Sequence, residues 1–255
     1  MDISSIIGGF TGQSLASQSA QQSATDPITA AFNKAGNRIE QQIGTTQVQL
    51  SAFGQIKGAF AELQSASKAV SNPQQTATAD DLKAAIGNFV AAYNKTNKVL
   101  GTATQAAQGQ STTAGALSGD NRARLAGNDL TRAVGGSSTL ASLKSVGVVQ
   151  NKDGSLALDN KALDNALKAN PDQVRNVFAT VGTQVEKTAS AELANNGNVG
   201  ASVNALSKRN AVLVAQQSAQ QDQQVAAQRQ LDKQSALVNN VFASGVAAYQ
   251  RTFAG

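Results

Sequence analysis

The chain contains neither cysteine nor histidine. Without thiol or imidazole there is no disulfide, no His/Cys metal site, no thiol nucleophile and no base of the Ser-His-Asp kind. Any chemistry would have to come from carboxylates, amines or hydroxyls, and their spacing supports none. Asn151-Lys152-Asp153-Gly154 has the outline of a cation loop, but one carboxylate with no following Asp, Asn or Glu ligands falls short of a Ca²⁺ site, and the stretch reads as a turn. Asp80 and Asp81 are adjacent, so on a helix they point to different faces, and they stand where an acidic first turn is expected. Gly8-Gly9 and Gly44 to Gly54 lack the Lys-Ser/Thr ending of a phosphate loop. No catalytic, cofactor-binding or metal-binding residue is assigned, and an enzyme is not expected.

The charges are equally unspecific. Lys and Arg number 21 against 16 Asp and Glu, a net +5 without any basic run. The closest pairs, Arg122/Arg124 and Lys208-Arg209, have no stacking aromatics between them, so they read as solvated helix faces rather than a nucleic-acid surface. No segment approaches ~18 uninterrupted apolar residues, so no membrane insertion is expected. At 41% hydrophobic, with eight Phe, two Tyr and no Trp, the chain has little material for a large globular core. Extended helical packing is favoured instead.

The elements follow from spacing. Residues 1–25 hold a short apolar patch, Ile3, Ile6, Ile7 and Phe10, and then Ser, Gln, Ala and Gly. With no basic n-region, too short an apolar run and no cleavage pattern, this is not a Sec signal but a disordered head. A first helix is expected from Asp26-Pro27. Its seam is Ile28, Phe32, Ala35, Ile39, Ile43, Thr46, Leu50, Phe53, Ile56, Phe60, Leu63, Ser67 and Val70, with steps of three and four. Gly36, Gly44, Gly54 and Gly58 each cost it up to about 1 kcal/mol, so it must lean on partners. After Asn72-Pro73, Thr78, Asp80 and Asp81 open a second helix with the seam Leu82, Ile86, Phe89, Tyr93, Thr96 and Leu100. A flexible Gly/Ser/Thr/Gln stretch over 101–115 precedes a third, opened by Leu117-Ser118 and burying Leu125, Leu130 and Val134. A last long helix from Ala201 carries Leu231, Val238, Phe242, Val246, Tyr249 and Phe253, with a Gln-rich, poorly seamed part over 216–230. At about 1.5 Å per residue the first and last helices span roughly 65 and 75 Å, which suggests that they pair side by side.

Between them lies a denser stretch, Leu143 to Phe178. Val146, Val148 and Val149, the turn pair Asp153-Gly154, and Leu156 with Leu158 predict a β-hairpin within 145–158. Asp159 caps a helix that buries Leu163 and Leu167, and Asn170-Pro171 ends it and starts another with Val174, Val177 and Phe178 inside. Val181 to Leu193 adds a further helix. The fold expected is therefore mainly α: a head at 1–25, a helical stem at 26–103, a small α+β unit at 104–200, and a helix at 201–255 that pairs with the first in a coiled-coil stem.

The order Val146-Gly147-Val148, Asp153-Gly154-Ser155-Leu156, Asp159, Leu163, Asn170-Pro171, Val174, Phe178 resembles the C-terminal conserved region of bacterial flagellar filament-capping proteins, the hook-associated protein 2 family. Phe89-Val90-Ala91-Ala92-Tyr93-Asn94 and the helix from Leu231 to Tyr249 resemble the flanking segments of that family. The resemblance implies a secreted, extracellular structural protein of the flagellum, exported without a cleaved signal peptide, that forms homo-oligomers at the distal filament end and promotes flagellin assembly. Flagellin, other axial proteins and an export chaperone are the partners it implies. The polar head would then be read by the flagellar export machinery, or be a tail that orders only on assembly. Phe32, Ile39, Phe53, Phe60, Phe89, Tyr93, Leu163, Phe178, Leu231, Phe242 and Tyr249 are the expected packing and assembly residues. One departure stands out: the large β-rich insertion of such caps is replaced by the short segment Ser71 to Asp81. A hook–filament junction or minor filament protein, a secreted coiled-coil adhesin or translocator, and an intracellular helical scaffold are the other readings.

Overall fold

The apolar seams become buried faces. In the computed structural model, which describes residues 3–72, 78–107 and 114–253 and the side chains among them from 29 to 252, helix α1 (Ile3–Ser71) buries Phe53, Ile56, Phe60, Leu63, Ser67 and Val70. Helix α2 (Ala79–Thr104) buries all six seam residues and Val90 beside them. Its start is a reciprocal cap: Asp81 N–H donates to Thr78 Oγ1 at 3.1 Å and Thr78 N–H donates to Asp81 Oδ2 at 3.3 Å.

Helix α3 (Asn121–Val134) and helix α4 (Ser137–Ser145) lead to strands β1 (Val148–Gln150) and β2 (Leu156–Leu158), which pair antiparallel with Val148 opposite Leu158 and Gln150 opposite Leu156. The loop between them is closed by Asn151 N–H donating to Ser155 O at 2.8 Å, and Gly154 sits at φ +81. That is a three-residue hairpin loop, in which the residue with positive φ favours glycine. Asp159 Oδ1 accepts from Lys161 and Ala162 N–H at 2.9 and 3.0 Å and so starts helix α5 (Asn160–Ala169). Asn170 ends α5 and caps helix α6 (Pro171–Leu193) by accepting from Gln173 N–H at 3.1 Å, with Pro171 in the first turn where its missing N–H costs nothing. Helix α7 (Asn198–Phe253) closes the chain.

The described residues thus form seven helices and one two-stranded sheet, a mainly α fold. They divide into residues 45–209 and residues 1–44 with 210–255. The first unit holds one continuous core, in which Phe89 and Phe178 meet edge to face with centroids 6.2 Å apart.

Several expectations are corrected. From Ile3 onward the expected disordered head belongs to α1. The third helix is capped by Asp120 rather than opened by Leu117-Ser118, and Leu125 is 46% exposed while Ala123, Ala126, Leu130, Ala133 and Val134 form the buried face. The short helix α4 was not legible as a helix, because a nine-residue segment with Leu140 and Leu143 alone shows no full period. Residues 171–193 are one helix, not two, and the last helix starts at Asn198 rather than Ala201. Helix α2, assigned to the stem, packs within 45–209, and the division between units falls inside α1 and α7 rather than at a loop. The expected flexible stretch falls partly outside the described residues, at 108–113.

Candidate functional site

Two glycines let the central unit close. Gly147 has φ +84, its carbonyl accepts from Asp159 N–H at 2.8 Å, and a Cβ there would stand 2.9 Å from both Asp159 O and Leu163 N. Chain reversal out of α4 and close approach to the start of α5 thus fall on one residue. At Gly182 a Cβ would meet Val70 Cγ2 at 2.6 Å and Ser67 O at 2.7 Å, so its absence lets α6 lie directly on α1.

The hairpin is held by α2. Asn94 Oδ1 accepts from Leu156 N–H at 2.7 Å while Asn94 Nδ2 donates to Leu156 O at 2.8 Å, so one carboxamide pairs with β2 as a neighbouring strand would. One turn on, Asn97 Nδ2 donates to Asp153 O at 3.0 Å. Asp153 is itself tied to its own loop, accepting from Ser155 Oγ at 2.6 Å and Ser155 N–H at 3.0 Å, and these bonds hold its carboxyl below the usual value. Tyr93 faces Gln150 at the bottom of the junction, and burial pushes its hydroxyl up to about 12 against the pull of that carboxamide. It stays neutral at any physiological pH.

An open groove of about 1080 Å³ runs between α2, α3 and the hairpin loop, lined among others by Asn97, Lys98, Arg124, Asn128, Asp153 and Ser155. With Asp153 engaged by Ser155, the groove offers amides and two cations but no general base and no converging ligand set. Among the described residues there is no cluster of three carboxylates able to hold a metal, and no helix is long and apolar enough to cross a membrane.

Phe53, Phe60, Phe89, Tyr93, Leu163 and Phe178 converge in the core of residues 45–209, each at most 1% exposed. The other expected packing residues lie in the second unit. Phe32 and Ile39 are half-buried. There Gln220 Nε2 donates to Phe32 O at 2.6 Å and Gln217 Nε2 to Glu40 Oε1 at 3.4 Å, so numbers rise along α1 as they fall along α7 and the two helices run antiparallel. Gly36, rather than the expected Ala35, faces across, and a Cβ there would come within 3.4 Å of the Gln220 amide. The Gln-rich stretch therefore packs through an amide laid on backbone, a contact that apolar periodicity does not register.

Further along α7, Leu231 is half-buried, but Phe242 and Tyr249 are exposed. Val238, Phe242, Val246 and Tyr249 fall on one face, and Leu237 and Val241, 66% and 72% exposed, widen it. Together these six side chains make an exposed apolar stripe on α7. The side chain of Phe253, expected to extend it, lies outside the described residues.

No curated protein matches the chain. A family model described as flagellar hook-associated protein 2 C-terminus matches residues 20–253, which take in the hairpin, the asparagine ties from α2, all of α7 and α1 from residue 20 onward. Membership carries a structural, filament-cap-type role on the flagellum, outside the cell. The chain belongs to the flagellar hook-associated protein 2 family.

Proposed function

We propose that the protein self-associates through the exposed stripe on α7 and, as an assembled cap, holds and guides flagellin subunits at the growing filament end. The observation that carries this reading is the stripe itself. In residues 45–209 the exposed large apolar side chains, Val48, Leu125 and Val149, lie on separate elements, whereas on α7 Leu237, Val238, Val241, Phe242 and Val246, 40 to 72% exposed, lie together. A soluble chain keeps such a face when another chain covers it. Antiparallel α1 and α7, joined through Gln220, would supply a coiled-coil stem, and neighbouring copies would pack their α7 stripes against one another. Export through the flagellar route, with a chaperone shielding the stripe beforehand, belongs to the same reading.

Phe242→Asp tests it. Sedimentation of the purified protein should show loss of the assembled species, and cells carrying the change should shed unpolymerised flagellin into the medium. A second reading draws on the short connection from Ser71 to Ala79, which leaves no room for a broad plate: a position at the hook–filament junction or along the filament. Normal filaments and no added shedding in a strain without the gene would favour this alternative over the cap.

A further inference from the structure

Glu192, in the last turn of α6, is 4% exposed. An ionised carboxylate at such a position needs donors or cations on both oxygens. Oε1 has one: Asn198 Nδ2, from the first turn of α7, donates to it at 2.9 Å, and Val199 N–H also turns toward the carboxylate. Oε2 meets no N–H or O–H donor. Beside the Glu192 carboxyl stands another acceptor, the Asp129 carboxylate of α3, which is ion-paired with Arg132 Nη1 at 3.2 Å. The groups that bear on Glu192 are thus Asp129 from α3, with Arg132 behind it, and from α7 only the neutral Asn198 amide and Val199 N–H. The first turn of α7 carries no acidic residue.

A buried carboxyl that meets one 34% exposed is compatible with it when a proton lies between them. Glu192 is the more deeply buried of the two and its Oε2 has no donor, so the proton sits on Glu192 and Oε2 becomes the donor. We propose that Glu192 and Asp129 share a proton and form a pH-sensitive latch that fastens the end of α6 and the root of α7 to α3.

The sign of the latch follows from its environment. Burial first, and then the Asp129 carboxylate, push the Glu192 carboxyl above its ordinary value, against the pull of Asn198 and Val199 N–H. The closed joint therefore holds the proton more tightly than the open one. Closure is at full strength below the ordinary carboxylate value and weakens as pH rises through the raised one. Between those two values the opening equilibrium grows up to about tenfold per pH unit, and above them it levels off. Because α7 begins at Asn198, this sets how firmly the first turns of α7 are held to α3 and α6.

Glu192→Gln keeps the shape and can donate to Asp129 but cannot titrate. Hydrogen exchange on the full chain, corrected for the intrinsic pH dependence, should show the amides of residues 194–202 opening up to about tenfold more per pH unit in the wild type, with Glu192→Gln flat over the same range. Carboxyl carbon NMR of glutamate-labelled wild type reads the proton directly, even if the variant folds poorly. One glutamate should titrate above the rest, and its midpoint should fall in Asp129→Asn. Ordinary titration of every glutamate, or equal pH dependence of exchange in wild type and Glu192→Gln, overturns the latch. Protection that depends on added calcium chloride rather than on pH would put a cation in place of the proton and overturn it as well.

Discussion

Asn94 ties α2 to the hairpin through a single side chain. Its carboxamide satisfies both backbone groups of Leu156, so Asn94→Ala leaves a donor and an acceptor unpaired at a part-buried site. Chemical denaturation should show a loss of about 1 to 3 kcal/mol. Asn94→Asp keeps an acceptor for Leu156 N–H but sets a carboxylate oxygen against Leu156 O, and should cost at least as much. Phe178 is fully buried against Phe89, and Phe178→Ala should cost about 3 to 5 kcal/mol in the same assay. Asp153 gives a pH signature of opposite sign to the Glu192 latch. Its carboxyl is held below the usual value by Ser155, so its contribution is complete above the ordinary carboxylate value and is lost as pH falls through the lowered one. The Ser155 amide resonance should report this acid loosening of the hairpin loop, and Asp153→Asn should abolish it.

At the scale of elements, caps and close approaches decide where helices begin and how near they lie. Thr78 and Asp81 share a reciprocal cap at the head of α2. Thr78→Ala should lower stability by about 1 kcal/mol, with exchange increasing in the first turn of α2 and not in α5. Gly182 shows the opposite kind of constraint. Gly182→Ala should favour the isolated helix by about 1 kcal/mol, yet its Cβ would collide with Val70 and Ser67, so the protein should lose stability on balance. A measured gain would show that α1 and α6 can move apart freely. Ties between elements are polar as well as apolar: Gln64 Nε2 donates to Ser190 Oγ at 2.7 Å between α1 and α6, and Lys95 pairs with Glu62 at 2.6 Å between α2 and α1. The second pair is exposed and contributes little to stability.

For the whole molecule, the contrast between a filled core and a bare stripe separates the tests of folding from the tests of assembly. Phe53 and Phe242 are both aromatic seam positions, yet a charge at Phe53, 1% exposed, would be buried without a partner and would unfold residues 45–209. It is not a probe of association. Phe242 lies in water, so Phe242→Asp should leave the melting temperature of the core within error while removing the assembled species in sedimentation. A drop in melting temperature comparable to that of Phe178→Ala would mean that the stripe packs within its own chain.

Much of this was legible one residue after another. Local patterns determined the helical class, the seams of α1 and α2, the hairpin, the caps at Thr78, Asp159 and Asn170, and the family, because period, turn chemistry and capping act over a few residues. Tertiary structure alone decided which seam residues face the core and which face water. The spacing at Phe53 and at Phe242 is alike, and only the arrangement of other elements covers one and leaves the other bare. It also decided the contacts made by groups without apolar periodicity: the Asn94 carboxamide on Leu156, the Gln220 amide on Phe32, and the meeting of Asp129 with Glu192. These pairs are distant in sequence, and their energy comes from desolvating polar groups whose partners exist only once the chain has folded.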